Sequence, residues 1–193
     1  MNQTAKLDAA LADIDAANRQ DPNLEGDGTP KELLYAQRMS DELMAFAPDA
    51  SANLQIAARA QHIERWVIPR SEYPMDKAGY KKWRTQLAKH HAQRTVEIMQ
   101  AHDFSDQDCQ RVADMLQKKR LKLDSEVQAL EDVICLVFIK YYLEEFAAKH
   151  DDDKLIDIIR KTWNKMSPQG HEAALKIELP PAMASLVQKA LGA

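Results

Sequence analysis

A chain of 193 residues can form a single domain with a sizeable core. Its 45% hydrophobic and 29% charged residues are an ordinary soluble globular balance. A formal charge of −4 argues against a general nucleic-acid binder: no DNA partner is expected, and RNA contact through the basic stretch 59–94 is the weakest reading.

Other features bound the setting. The two cysteines, Cys109 and Cys135, form no CxxC motif and fit a reducing compartment. The opening "MNQTAKLDAALADIDAANRQD" has no apolar core of the signal-peptide kind, and the longest apolar run, "VICLVFI" at 133–139, is too short to span a bilayer. A cytoplasmic protein without membrane contact is expected. The sequence does not disclose its oligomeric state.

With five glycines in the whole chain and no strand-type alternation between tight turns, the expected fold is all-α, a single-domain multi-helix bundle. A first helix is expected near 4–19. Residues 1–28 form an outer helix or an appendage, and the main domain runs over 29–193. "TPKE" (29–32) predicts Thr29 as N-cap, Pro30 at the first helical position and Glu32 closing a capping box for a helix over 30–46. The next helix, 51–67, carries Arg59, His62 and either Arg65 or Trp66 at steps of three and four, with Ala57, Ala60, Ile63 and Val67 as the neighbouring apolar stripe. Two prolines restrict the loop "VIPRSEYPMDKAGY", which is expected to order as a lid over a pocket.

On the helix at 77–102, Tyr80, Arg84, Leu87, His91 and Thr95 or Arg94 line up by the same arithmetic. His90 points about 100° away from His91, and the register with Arg84 favours His91. "SDQD" caps a helix over 105–121, whose end "KKRLK" suits the C-terminal dipole. The helix at 124–149 is the expected centre: from Val133 to Tyr142 only Lys140 is charged, and Glu131 and Asp132 stand immediately before that run. Both acids either enter the core, where a carboxylate needs a partner, or sit on a solvated edge near Lys118 or Lys119. Helices at 152–165, 168–176 and 181–191 follow. "HDDDK" reads as a junction with an aspartate cap, and "SPQG" as a serine cap followed by proline.

Bundle interiors are a usual place for sites built from facing helices. His62, His91 and Asp132 form an imidazole–imidazole–carboxylate set of the kind that suits a divalent metal ion. Arg59, Arg70 and Arg84 have the planar fork that grips phosphate, and Tyr73, Tyr80, Trp66 and Trp83 offer stacking surfaces. Each also has a plainer role: Trp66 and Trp83 as core anchors, Arg65, Lys81 and Lys82 on a solvated face.

The order of these motifs is similar to the HD-domain phosphohydrolase superfamily, an all-helical metal-dependent fold. "LLYAQRMS" (33–40), "AARAQHIERW" (57–66), "AKHHAQRTVEIM" (88–99) and "LEDVICLVF" (130–138) carry the likeness. It implies that His62, His91 and Asp132 hold the ion, while Tyr35 and Ile63 stand where two further family ligands belong. More closely, "RAQHIERWVIPRSEYPMDKAGYKKWR" and "LEDVICLVF" resemble the family known as domain of unknown function 4202, over about 30–176.

The expected function is a metal-dependent phosphohydrolase of HD-like type acting on a nucleotide or other small phosphorylated compound. Glu131 orients or deprotonates the water, and Arg59, Arg70, Arg84, Lys119, Gln128 and Tyr80 hold the substrate. The alternative is a non-catalytic phosphate- or nucleotide-binding module that has lost the metal centre.

Overall fold

In a computed structural model the protein is described over residues 2–192. The described residues are helical, with an isolated bridge between Leu24 and Pro30 and no strand. Two compact units divide the chain, the first ending at Lys119 and the second beginning at Arg120.

The first unit holds α1 (Gln3–Asn18), α2 (Lys31–Phe46), α3 (Ala52–Arg59), α4 (Lys77–Ala101) and α5 (Asp106–Leu116). α1 packs on its neighbours: Ala10 and Ile14 are fully buried, and the Arg59 guanidinium donates to both oxygens of Asp15 at 2.7 and 2.6 Å. Lys6 Nζ donates to the carbonyl of Asp103 at 2.6 Å, tying the helix to the exit of α4.

The start of α2 differs from the expected capping box. Pro30 precedes the helix without a side-chain cap, and the amide of Glu32 donates instead to Asp21 Oδ2 at 3.0 Å. Asp21, buried and also holding Asn23, supplies from eleven residues upstream the acceptor that a first helical turn needs.

α3 is half as long as the pattern predicts. Instead of running to 67 it ends at Arg59, and turns follow through a short 3₁₀ segment, Arg65–Val67. Just before that segment Glu64 has a left-handed backbone (φ 50°). That conformation is disfavoured for an L-residue and is held by tertiary bonds. Its amide donates to Asn18 Oδ1 at 3.0 Å, and its carboxylate accepts from Arg94 Nε at 3.1 Å. The shared helical face proposed for Arg59, His62 and Arg65 therefore does not exist; His62 sits in a turn.

α4 begins as expected, with Asp76 accepting from Gly79 N–H at 2.7 Å. Gly79 must be glycine, because a Cβ there would collide with the carbonyl oxygen of Pro74. α5 starts at the predicted Ser105 cap and stops at Leu116, five residues early, where Lys118 takes a left-handed backbone.

The second unit holds α6 (Ser125–Val137), α7 (Leu143–Ala147), α8 (Asp152–Lys165), α9 (Pro168–Ala174) and α10 (Pro181–Leu191). Asp124, Asp151 and Ser167 cap α6, α8 and α9. One predicted helix over 124–149 is instead interrupted by a π-helical turn, Phe138–Tyr142, which separates α6 from α7. Leu143, Leu155, Ile159, Leu186 and Ala190 form the core here, with Phe138 and Phe146 meeting edge to face. Among the described residues, no helix is long and apolar enough to cross a membrane.

Candidate functional site

The histidines His62 and His91 come together in the first unit, with ring centroids 6.1 Å apart. α4 carries His91 into the core. The turn after α3 presents the carbonyl of Ile63 to it, 2.7 Å from Nδ1. A carbonyl only accepts, so Nδ1 carries the proton and Nε2 keeps its lone pair. His62 is 13% exposed, lies flat against Tyr35 at 3.9 Å, and has Nδ1 at 3.3 Å from Glu32 Oε2. Arg65 Nη1 lies 3.3 and 3.4 Å from its two ring nitrogens.

Electrostatics keep both rings neutral. Burial, then the charges of Arg65, His91, Arg84 and Lys118, hold His62 well below the usual histidine range. Burial is also the first cause that lowers His91 to about 3, with His90, Arg65 and Arg84 adding to it against the Ile63 hydrogen bond. Burial pushes the Glu32 carboxyl up to about 7, against the pull of Arg65. Arg65 and Arg84 thus act on both uncharged imidazoles, Lys118 acts on His62, and Arg65 also acts on Glu32. Arg84 has no hydrogen-bond or ion-pair partner among the described residues. Such a cluster repels another cation and attracts an anion.

The remaining predicted binding residues are placed as follows. Arg59 is engaged by Asp15, away from a ligand role. Arg70 donates to the carbonyls of Tyr73 and Asp76, ordering the loop before α4, and its guanidinium lies 6.0 Å over Tyr80 and 5.9 Å over Trp83. Tyr80 is 49% exposed. Trp83 is a buried anchor whose Nε1 donates to the carbonyl of Ile68 at 2.8 Å. Lys119 pairs with Asp114 at 2.8 Å on the surface.

Glu131 and Asp132 are both buried in the second unit. Lys165 Nζ lies 3.8 Å from Glu131 Oε1. Asp132 Oδ1 accepts from the Ser167 amide at 2.7 Å and from Gln128 Nε2 at 3.1 Å, while Oδ2 accepts from Ser167 Oγ at 2.6 Å. Gln128 also donates to the Lys165 carbonyl at 2.9 Å. These bonds pin the start of α9 to α6. A Cβ on Gly170 would lie 2.6 Å from Asp132 Oδ1, so the helix approaches the carboxylate as only glycine allows. Among the described residues, no group of three or more His, Cys, Asp or Glu side chains gathers as a metal site would require.

The sequence predicts Glu32 only as a capping residue and Lys118 only as part of a basic helix end; the fold brings both to bear on His62. Arg65 stands three residues from His62, on the face expected for it or in its plainer role on a solvated face, and it reaches His62 from the turn after α3.

A family model described as Domain of unknown function (DUF4202) matches residues 8–187. Neither the curated proteins nor the solved structures provide a match to the chain.

Proposed function

Because the chain belongs to the family described as Domain of unknown function (DUF4202), a description that assigns no activity, we propose its function from the site itself: the first unit binds a small phosphorylated compound. The observation that carries this reading is Arg84, half-buried and without a counter-ion among the described residues, where it and Arg65 both act on two neutral imidazoles. A charge kept from water without a partner is costly, and a ligand oxyanion offsets that cost. Neutral imidazoles add hydrogen-bonding groups without adding charge.

Isothermal calorimetry on the full chain with inorganic phosphate, with and without chelator, tests it. Binding that is indifferent to chelator and weakened about tenfold or more by Arg84→Ala is the expected result. An absence of heat with phosphate contradicts the reading.

A second reading is an HD-like metal-dependent phosphohydrolase. One observation favours it: His91 is fixed through Nδ1 with a lone pair on Nε2, beside a second neutral imidazole. This is how metal-binding histidines are oriented by their surroundings. Two imidazoles are half of a four-ligand site, and Asp132 would have to give up hydrogen bonds to Ser167 or Gln128 to serve as a ligand. Elemental analysis of protein purified without chelator, repeated on His91→Ala, discriminates: a stoichiometric ion lost with His91 supports this reading, and a metal-free protein that refuses reloading removes it.

A further inference from the structure

From Lys77 to Val96, "KAGYKKWRTQLAKHHAQRTV", helix α4 holds four lysines, two arginines and no acid, in a chain whose net charge is −4. Its apolar side is turned inward, with Trp83, Leu87 and Ile98 buried. Lys77, Lys81, Lys82 and Lys89 are all exposed, and none of them has an ion pair or a side-chain hydrogen bond among the described residues. Exposed lysines elsewhere do have carboxylate partners: Lys119 meets Asp114 at 2.8 Å, Lys149 meets Glu145 at 2.6 Å and Lys161 meets Asp157 at 2.6 Å. The acids at either end of the stretch are engaged, Asp76 by the Gly79 amide and Glu97 by Arg94. An outward face of four unpaired cations is thus left for a partner with several negative charges.

The extent of this face and its aromatic edge select among such partners. At 1.5 Å per residue, Lys77 to Lys89 spans about 18 Å, the length of roughly five nucleotides of a stacked strand at 3.4 Å each. Tyr80, three residues from Lys77, borders the lysines and is half exposed. Its ring is held beside Trp83 at 5.9 Å and under the Arg70 guanidinium at 6.0 Å, which the carbonyls of Tyr73 and Asp76 fix. An exposed ring held in place among cations is a stacking platform for an unpaired base. An acidic protein segment leaves that ring unused, and a duplex keeps its bases from it. RNA is the polynucleotide whose bases stand unpaired in loops and ends. The negative charge of the whole chain does not oppose this contact, because charges more than about 10 Å away are largely screened at 0.1 M salt.

We propose, beyond and independently of the phosphate reading of the histidine cluster, that the outward face of α4 binds single-stranded RNA, with Lys77, Lys81, Lys82 and Lys89 on its phosphates and Tyr80 stacked on a base.

Fluorescence anisotropy of the full chain with a labelled oligouridylate of about ten nucleotides, over a range of salt concentrations, is the test. The logarithm of affinity should fall with the logarithm of salt at a slope of about −1.5 to −3, as for two to four neutralised phosphates. Lys81→Ala combined with Lys82→Ala should reduce that slope by about 1, whereas Lys176→Ala, at an exposed lysine beyond this helix, should leave it unchanged. Tyr80→Ala should weaken binding about fivefold or more with the slope retained, and Tyr80→Phe should keep the affinity. All these side chains are exposed, so their replacement leaves the core intact. No binding at low salt, a flat salt dependence, or a slope indifferent to the paired lysine substitution overturns the proposal. A labelled oligoglutamate of the same length that binds as tightly, with Tyr80→Ala silent, overturns it in favour of an acidic protein segment. A preference for oligothymidylate overturns the assignment to RNA.

Discussion

Tyr35 lies flat on His62, ring centroids 3.9 Å apart and planes inclined by 13°. The phenol from α2 thereby covers one face of an imidazole that the turn after α3 delivers, and helps to shield it from water. Tyr35 is 9% exposed, so its removal leaves a cavity as well as an uncovered ring. Tyr35→Ala should cost about 3 kcal/mol or more in urea unfolding. Tyr35→Phe keeps the stack and should cost markedly less. Equal losses for both would show that the ring contact contributes little.

His91 makes stability fall on acidification. Its folded pKa lies near 3 and its ordinary value is 6.5, so the unfolded chain takes up a proton through this window while the folded chain does not. The stability is fully present above 6.5 and is lost as pH falls toward 3, at about 1.4 kcal/mol per pH unit at most. Between pH 7 and 5, acidification should cost the wild type more unfolding free energy than it costs His91→Asn, by a slope of up to one proton; equal slopes would contradict this.

Glu32 acts with the opposite sign. Its folded pKa is about 7 against an ordinary 4.5, so the folded chain retains a proton that the unfolded chain has released. The contribution is intact below 4.5 and is lost as pH rises to 7. Glu32→Gln should therefore gain roughly 1–3 kcal/mol at pH 8 relative to its effect at pH 4, the loss of attraction to Arg65 reducing the gain. A variant whose relative stability is the same at both pH values contradicts the assignment.

In the second unit, Asp132 and Ser167 form a structural knot. Ser167→Ala removes one of the two hydrogen bonds that Ser167 gives to Asp132, together with the side-chain cap of α9, and should cost about 1–3 kcal/mol. Gly170→Ala, whose new methyl meets Asp132 Oδ1 at 2.6 Å, should cost about 1–3 kcal/mol as well. Thermal unfolding of each variant measures it, and a neutral Gly170→Ala would mean that α9 moves away freely.

The local parts of this architecture are readable without coordinates. Ser105, Asp151 and Ser167 cap the helices that their sequence context announces, because a cap is settled within three or four residues. The all-helical class follows from the same short-range chemistry. The end of α3 does not. The chain turns after Arg59, and Glu64, five residues on, is held left-handed by bonds to Asn18, forty-six residues earlier, and to Arg94, thirty residues later. Periodicity carries the helix straight through that point, whereas the chain turns there and brings Arg65 to His62 from the turn. His62 and His91 meet, but His62 does so from a turn and not from the helical face its spacing predicts. The π turn at Phe138–Tyr142 leaves no mark in a segment that is apolar nearly all round. Arg59 has the register of a binding residue, and only the packing of α1 shows that Asp15 engages it.

The central claim is that the charges about His62 are arranged for an oxyanion. Phosphate titrated calorimetrically into the wild type, Arg84→Lys and Arg84→Ala across a range of salt concentrations addresses it most directly. The account predicts binding that weakens with salt, is partly retained by lysine and is reduced about tenfold or more by alanine. Phosphate affinity that is unchanged in Arg84→Ala and flat with salt would contradict it.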